Sequence, residues 1–347
     1  MSLSRLVFAP YESERDSEVH ELFYEYPHKN FQLKFMGIAK EKMAEYLAST
    51  LARPDIQGIG LRDEGRMVGL VALQALPWMS EHFGLRMYAV PHLLARSDGP
   101  LVHARLLRYL IEERPDVDFL DCRVAVDDVH SAHALEICGF RYVGTEIYMG
   151  QLLEGLSPPK SHSEFEIGAC TERERAQVLD IVTETHVHNR FVYDPFIPTS
   201  AANSLYRRLV AMCFEQEQFT VLVARSRNEV HGFIIAKLTP AFSSAVGMAC
   251  GSLDFIGVRP KSRLRGLGIH LNRWALYHMA LKGAQYVAVR TLASNYGAVS
   301  TCHRTDFRVT SSSLHFHRWI HRPTRGAAVS SHGQSPLGGM LTYAAAG

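Results

Sequence analysis

The segment Val258–Leu271 joins an apolar strand to an amphipathic helix through a turn that contains Gly266 and Gly268. The strand before the turn is predicted to be buried, and helical spacing follows the turn in Leu271, Trp274, Ala275, His278 and Met279. Glycines at alternate positions let backbone N–H groups converge on an anion, and the positive end of the helix dipole attracts it. The segment therefore predicts a pyrophosphate site.

A lone Gly-x-Gly turn also occurs in ordinary connections between a strand and a helix, so the wider spacing matters. The spacing Val-x-Pro-x-x-Arg-x-x-Gly-x-Gly-x-x-Leu resembles the acetyl-CoA motif of the GNAT acyltransferase superfamily, matched at Val258, Pro260, Arg263, Gly266, Gly268 and Leu271. This resemblance implies an α/β (α+β) fold with a twisted, mixed, mainly antiparallel sheet flanked by helices, and acetyl-CoA as co-substrate. The residues expected to hold the donor are Ile256, Gly257, Val258, Arg263, Leu264, Arg265, Gly266, Leu267, Gly268, Ile269 and Asn295.

A second block carries the same resemblance. The predicted strand Tyr286–Leu292 is followed by Asn295-Tyr296-Gly297-Ala298 and, nine residues later, by Phe307, as in the superfamily's Asn-x-x-Ala-(helix)-Gly-Phe element. Two positions differ from that element: Asp306 stands where glycine is usual, and Cys302 stands where a tyrosine often acts as general acid. The resemblance supports the fold, but it does not identify the general acid in this chain.

Residues 1–152 repeat the predicted order of strands and helices in residues 164–320, which indicates two tandem GNAT folds. A linker rich in Pro, Ser and Gly, residues 153–163, separates them. The first half is degenerate, because it has no Arg-x-x-Gly-x-Gly turn, and it is expected to bind no CoA. Covering a sheet face and shaping the acceptor site are both open roles for it. Residues 321–347 are predicted to form a flexible tail.

Two segments resemble the TDP-fucosamine acetyltransferase type, whose members acetylate an amino group on a nucleotide-linked deoxysugar. The first is Leu76–Gly84, with the pattern Pro-Trp-x-Ser-x-x-Phe-Gly, and the second is the Arg-Phe-x-x-Asp-Pro loop at residues 190–195. The resemblance implies that acceptor contacts come from Trp78, Phe83, Arg190, Tyr193 and Asp194. Aromatic packing of Trp78 and Phe83 is an open alternative. An ion pair that only fastens the loop is the alternative for Arg190 and Asp194.

Three residues are candidates for proton transfer. Strand alternation predicts that Asp254 shares a face with Ile256 and Val258, where its carboxylate would meet the incoming amine, although a solvated or ion-paired Asp fits as well. Cys302, with an ordinary thiol pKa near 8.5, could protonate the leaving thiolate. A helical cysteine is also a small hydrophobic group that packs in a core. His303 and solvent are the remaining acids.

Composition and residue spacing argue against several classes of partner and cofactor. The chain has 37 basic and 35 acidic residues and no basic run, so nucleic acid is not an expected partner. Six scattered cysteines without a Cys-x-x-Cys pair predict neither a disulfide framework nor a zinc knuckle, and no metal is expected. Alternation around His315 and His317 predicts a strand rather than a metal centre. The N-terminus lacks a signal peptide and no segment is apolar enough to span a membrane, so a cytoplasmic protein is expected.

The leading hypothesis is an N-acetyltransferase that transfers an acetyl group from acetyl-CoA to a primary amine of a small molecule, with a nucleotide-linked amino sugar as the favoured acceptor. A non-catalytic CoA sensor is the alternative from a different class. An acetyltransferase for an amino acid, a polyamine or an antibiotic is the third hypothesis. Association into a homodimer is left open.

Overall fold

The computed structural model describes residues 6–12, 18–29, 31–96, 99–185, 189–263 and 265–322. The chain forms two compact units: Met1–Gly144 with Ser313–Gly347, and Thr145–Ser312. Residue Leu264 and most of the predicted tail, from residue 323 onwards, lie outside the described residues.

The first half combines strands and helices in the residues that the structure describes. They are β1 (Leu6–Pro10), α1 (Val19–Glu25), α2 (Phe31–Met36), α3 (Lys40–Thr50), β2 (Ile56–Asp63), β3 (Arg66–Ala75), α4 (Pro77–Phe83), β4 (Met87–Ala95), α5 (Pro100–Glu113), β5 (Phe119–Ala125), α6 (Val129–Ile137) and β6 (Arg141–Leu152).

The second half repeats this order. Its elements are β7 (Glu166–Ala169), α7 (Arg175–Thr185), α8 (Thr199–Cys213), β8 (Phe219–Ser226), β9 (Glu229–Leu238), α9 (Pro240–Val246), β10 (Cys250–Val258), α10 (Leu267–Leu281), β11 (Tyr286–Leu292), α11 (Tyr296–His303) and β12 (Arg308–Trp319).

The two units have the same sheet topology. The strand order is β1-β2-β3-β4-β5-β12 in the first unit and β7-β8-β9-β10-β11-β6 in the second. All neighbours are antiparallel except the parallel pairs β4/β5 and β10/β11. The predicted mixed, mainly antiparallel sheet is confirmed in both units.

The last strand of each half belongs to the unit formed by the other half. Residues 313–319 of β12 pair with β5 in the first unit, and residues 146–152 of β6 pair with β11 in the second. The compact units therefore differ in outline from the predicted ranges 1–152 and 164–320. The separate roles assigned to those ranges stay predictions.

In the second unit, helix α10 covers one face of the sheet. Its predicted apolar stripe is confirmed, because Leu271, Ala275 and Met279 are buried against Leu253 and Val287 of the two parallel strands. Burial of a leucine or methionine side chain is worth about 1.5–3 kcal/mol, so Leu271 and Met279 fix α10 on the sheet.

Asp306, the departure from the superfamily glycine, adopts φ +66° in the turn after α11. The equivalent residue of the first half is Gly139, at φ +74°. In both turns the next residue donates its N–H to a carbonyl five residues back: Phe307 to Cys302 at 3.1 Å, and Phe140 to Leu135 at 2.9 Å. The backbone needs a left-handed residue here whatever the side chain.

We therefore expect Asp306→Gly to raise the free energy of unfolding by about 1 kcal/mol, because glycine adopts this conformation without strain. Urea denaturation measures the change. Gly139→Asp should destabilise the chain, since a side chain is strained at φ +74° and its Cβ would displace Nη1 of Arg318, which donates to the Gly139 carbonyl at 3.2 Å. A less stable Asp306→Gly variant would contradict the strain argument.

Strand β12 confirms the predicted strand around His315 and His317, and both histidines are buried. Among the described residues, no group of three or more His, Cys, Asp or Glu side chains has an arrangement that could hold a metal ion. The helices in the described ranges are all too short or too polar to cross a bilayer.

Candidate functional site

The parallel strands β10 and β11 separate towards their C-terminal ends. Their pairing runs from Cys250↔Tyr286 to Leu253↔Val289, although β10 continues to Val258. At the point of separation β10 has a bulge, since its register with β9 shifts between Leu253 and Phe255. Beyond it, the edge of β10 that faces β11 has no strand partner in the described chain, so this edge can accept a ligand, although the Val258 carbonyl already accepts from Arg263. We call this opening the wedge.

Beside the wedge, helix α10 begins at a left-handed glycine. Gly266 is the N-cap residue at φ +73°, and a Cβ there would meet nothing within 4 Å. Ile269 and His270 both donate their N–H groups to the Gly266 carbonyl, at 3.0 and 3.1 Å. The N–H groups of Leu267 and Gly268 have no acceptor within the helix and suit an anion. The Ile269 N–H is thus paired within the first turn of α10, and a donor contact by Ile269 stays a prediction.

The arginines of the turn fasten it to its surroundings. Nε of Arg263 donates to the Val258 carbonyl at 3.3 Å, and Nη1 of Arg265 donates to Oε2 of Glu164 at 2.7 Å. His162 contacts the Arg265 carbonyl through Nε2 at 3.2 Å. These contacts hold the turn in place but do not exclude an additional contact to a phosphate, because both arginines are exposed.

A cleft of about 420 Å³ opens at the start of α10, lined by Gly266, Ile269, His270, Arg273 and Arg304. Burial, together with His162 and Arg273, lowers the pKa of His270, so the two arginines supply the positive charge at neutral pH. Sequence reasoning missed both arginines. The helical spacing of Arg273 from Ile269 was a usable signal, whereas Arg304 is brought here only by the packing of α11.

Asn295 is the N-cap residue of α11. Its Oδ1 accepts from the Ala298 N–H at 3.3 Å, and its Nδ2 donates to Oγ1 of Thr291 at 3.3 Å. In the first half, Asp128 caps α6 in the same way through the Ser131 N–H at 3.1 Å. This position therefore fixes a helix start in both halves, and a donor contact by Asn295 stays a prediction.

Cys302 lies inside the core between α10 and α11. It is 4% exposed, and burial raises its pKa to about 11, with the Asn272 side chain lowering it by a smaller amount. Burial in a cluster of described residues that is mainly apolar and carries no charged group favours the packing alternative for this thiol. His303 is exposed in the last turn of α11, and an acid role for either residue stays a prediction.

Asp254 is the extra residue of the β10 bulge, and its predicted orientation is wrong. Ile256 and Val258 pack with the core beneath α10. The Asp254 carboxylate instead lies 3.5 Å from Nζ of Lys237 and accepts from Oγ of Ser252 at 2.6 Å, with an electrostatic effect on the Cys213 thiol of α8. The bulge breaks the two-residue alternation, so Asp254 faces α8 as half of an ion pair.

The loop between α7 and α8 buries two of its three candidate residues. The Arg190 guanidinium lies 4.4 Å from the centre of the Phe191 ring, and Oδ1 of Asp194 accepts from the Phe196 N–H at 2.9 Å. Tyr193 is 45% exposed, and its hydroxyl lies 3.2 Å from Oγ of Ser294, after β11. The burial of Arg190 and Asp194 favours the alternative that these two residues only hold the loop in place. Tyr193 is the residue of this loop that is best placed to contact a ligand.

The Pro-Trp-x-Ser-x-x-Phe-Gly segment forms a helix-to-strand turn that recurs in the second half. Oγ of Ser80 accepts from the Met87 N–H at 2.9 Å, and Oγ of Ser243 accepts from the Cys250 N–H at 2.9 Å. Both short helices begin with proline and end at a left-handed glycine. The pattern therefore has a structural cause that is independent of any acceptor.

Trp78 and Phe83 are buried within the first unit. The Trp78 ring stacks on His82 with 5.9 Å between centroids, and Phe83 meets the same imidazole edge-on at 4.9 Å. This environment favours the packing alternative for both aromatic residues.

A second ion pair lies across β11 and β6. Nε of Arg290 is 3.3 Å from Oε2 of Glu146, with side chains 28% and 10% exposed. Burial alone would lower the pKa of Arg290, but Glu146 and Tyr148 raise it, so the guanidinium stays charged. Sequence reasoning missed this pair because Glu146 belongs to the first half of the chain. It lies beside β11 only because the end of β6, which we call the exchanged strand, pairs with β11 in the second unit.

No family model matches the chain. Among curated proteins, it is similar to the spore coat polysaccharide biosynthesis protein SpsD of Bacillus subtilis (strain 168). The two are 22% identical over 293 residues, which cover 82% of this chain and 96% of the relative.

Solved structures share the fold at low identity. A GCN5-related N-acetyltransferase from Sphaerobacter thermophilus matches with a TM-score of 0.61 and 15% identity, over 92% of this chain and 96% of that one. A tandem GNAT protein from the clavulanic acid biosynthesis pathway matches with a TM-score of 0.53 and 14% identity, over 92% and 99%. A glucosamine N-acetyltransferase region of a fungal multi-domain β-N-acetylglucosaminidase matches at 0.60 and 16%, over 90% and 38%. The chain therefore has the tandem GNAT fold.

Proposed function

We propose that this chain is an acetyl-CoA-dependent N-acetyltransferase whose second unit binds the donor. The observation that carries the proposal is the wedge between β10 and β11, which opens beside the glycine-capped start of α10. An extended pantetheine arm can add to the unpaired edge of β10 as a strand would, while a pyrophosphate meets the helix N-terminus.

The residues present fit this donor. The N–H groups of Leu267 and Gly268 would bind the pyrophosphate, and the backbone of residues 256–258 would bind the arm and polarise the thioester carbonyl. Arg273 and Arg304 would bind the phosphate on the ribose, because they place two positive charges at the cleft beyond the helix start.

Arg273→Ala and Arg304→Ala should each raise the dissociation constant of acetyl-CoA by roughly 10-fold, since a hydrogen bond to a charged group is worth about 1.5–3 kcal/mol. Calorimetry with acetyl-CoA and with dephospho-CoA provides the measurement. Dephospho-CoA should bind wild type and both variants with similar affinity. Unchanged acetyl-CoA affinity in both variants would remove these arginines from the donor site.

In the proposed reaction, the lone pair of a neutral acceptor amine attacks the thioester carbonyl carbon. The tetrahedral intermediate then breaks its C–S bond, and the departing thiolate takes up the proton that the new amide nitrogen releases, directly or through water. The wedge would orient the carbonyl and exclude solvent on the α10 side. This order of events requires no acidic side chain at the buried Cys302 position.

An amino sugar is the proposed acceptor class, with a nucleotide-linked sugar preferred. Its support is the similarity to a polysaccharide biosynthesis protein and to a glucosamine N-acetyltransferase region, together with the sequence resemblance to the TDP-fucosamine acetyltransferase type. A thiol-release assay with acetyl-CoA tests it across TDP-fucosamine, glucosamine, cadaverine and lysine. Acetyl-CoA binding without turnover of any amine would indicate a CoA sensor instead.

A further inference from the structure

The point where β10 and β11 separate is surrounded by four charged side chains. Asp254 and Arg290 are the first residues beyond the last paired positions, Leu253 and Val289, on their respective strands. Each has a partner of opposite charge on the neighbouring strand: Lys237 for Asp254 at 3.5 Å, and Glu146 for Arg290 at 3.3 Å.

Both pairs lie on the sheet face that α8 covers. Asp254 acts on the Cys213 thiol of α8, and Arg290 interacts with Tyr206 of the same helix. The Tyr206 ring meets Phe255 of β10 edge-on, with 6.0 Å between centroids. Two ion pairs and two aromatic rings therefore line one side of the wedge, opposite the face that packs on α10.

The first unit has no acidic residue at either equivalent position. Its parallel strands β4 and β5 also part after Val90↔Cys122, so the strand registers make Pro91 equivalent to Asp254. In the same registers Ser313 of β12 is equivalent to Glu146 of β6. The two carboxylates therefore belong to the unit with the glycine-capped helix, which argues for a role at that site rather than a requirement of the fold.

We propose that Glu146 and Arg290 bind the hydroxyl groups of the acceptor's sugar ring; this inference rests on the proposed function. A fixed carboxylate next to a fixed guanidinium offers neighbouring acceptors and donors to vicinal hydroxyls. Tyr206 and Phe255 offer apolar faces to the C–H groups of the ring.

The charge balance selects the acceptor class. Lys237 and Arg290 offset Asp254 and Glu146, so the four groups carry no net charge. A polyamine would need an excess of carboxylates to replace its hydration, whereas a polyhydroxylated ring needs both donors and acceptors and no net charge. The exchanged strand β6 thus gives the first half of the chain a direct part in acceptor recognition.

The test uses the full chain loaded with CoA, which permits acceptor binding without transfer. Calorimetry with TDP-fucosamine and with glucosamine should show binding to wild type that Glu146→Gln weakens by roughly 10-fold or more, because the Arg290 guanidinium loses its anionic partner. Acetyl-CoA affinity should not change. In the transfer assay the loss should appear in the acceptor KM rather than in kcat.

Glu174→Gln is the matched control. It breaks the pair between Glu174 and Arg225 of β8, whose side chains are 13% and 22% exposed, and β9 separates β8 from the wedge strand β10. Glu174→Gln should lose about as much thermal stability as Glu146→Gln and should bind the acceptor with wild-type affinity. Arg290→Lys retains the charge but loses the planar fork, so it should also weaken acceptor binding, and it decides the question if Glu146→Gln does not fold.

Wild-type affinity for the amino sugars in both Glu146→Gln and Arg290→Lys would overturn the inference while leaving the proposed transfer reaction intact. Tighter binding of cadaverine than of either sugar would overturn it as well. Sugar binding that depends on Glu146, without thiol release from acetyl-CoA, would instead refute the proposed function and retain the sugar site. No binding of any sugar to wild type would refute the inference.

Discussion

Gly266→Val should raise the dissociation constant of acetyl-CoA by at least 100-fold while the chain remains folded. Gly266 has φ +73°. This backbone conformation costs an ordinary side chain about 1–2 kcal/mol of conformational free energy, and it costs a β-branched side chain more. The turn would relax to another conformation and move the N–H groups of Leu267 and Gly268 away from the pyrophosphate. Calorimetry with acetyl-CoA measures the effect, and circular dichroism confirms the fold.

Gly283→Val is the matched control at the other end of α10. Gly283 has φ +85°, and a Cβ there would also meet nothing within 4 Å. Its loss of stability should resemble that of Gly266→Val, with acetyl-CoA affinity retained. Gly268 does not require a positive φ, and its Cβ would make ordinary contacts with Thr301 at 3.6 Å, so Gly268→Ala should weaken binding less. Equal affinity in wild type and Gly266→Val would refute the pyrophosphate assignment.

Cys302→Tyr should lower the free energy of unfolding by about 3 kcal/mol or more, even though tyrosine is the residue that the superfamily often has at this position. Cys302 is 4% exposed and belongs to the same buried cluster as Leu267, Leu271 and Phe307, so the larger side chain overpacks the core. Thermal and urea denaturation measure the loss. Cys302→Ala should cost only about 1 kcal/mol and keep kcat near wild type.

The catalytic alternative for Cys302 makes the opposite prediction. If the thiol protonated the leaving thiolate, Cys302→Ala would lower kcat by roughly 10²-fold or more with acetyl-CoA affinity unchanged, and Cys302→Tyr could restore it. Steady-state kinetics of the two variants therefore separates packing from catalysis. A slow, well-folded Cys302→Ala enzyme would contradict the packing assignment.

Burial of Cys302 also predicts a pH dependence of stability. Burial raises its pKa from the ordinary thiol range, between pH 8.5 and 9, to about 11 in the folded chain, so between those values the folded state holds a proton that the unfolded state releases. The stabilisation is complete below pH 9 and is lost as the pH rises towards 11. Urea midpoints of wild type should fall more steeply over this interval than those of Cys302→Ala. Parallel slopes would indicate that the thiol is not buried in solution.

The sequence was sufficient for the local elements. The predicted helix after Gly266 is confirmed, and the turn between β8 and β9 has φ +49° at Arg227 and +66° at Asn228, a conformation that asparagine adopts more readily than most residues. These features depend on residues a few positions apart, whose backbone preferences and apolar spacing act within one turn or one hairpin. The repeat could be predicted for the same reason, since the order of local signals recurs in both halves.

The site depended on contacts that sequence spacing does not encode. Asp254 was assigned to the wrong face because a single extra residue in β10 reverses strand alternation, and bulges leave no clear mark in the sequence. Arg304 reaches the cleft of Gly266 only through the packing of α11.

The sequence by itself determined the tandem organisation, the two strand–turn–helix blocks and the glycine at the start of α10, because each is set by short-range backbone preference and periodic burial. Only the tertiary structure decided that Glu146 lies beside Arg290, that Cys302 is in the core, and that each half completes the other's sheet. Strand pairing joins residues more than a hundred positions apart through backbone hydrogen bonds, which are the same for every side chain, so the sequence carries little record of the partner.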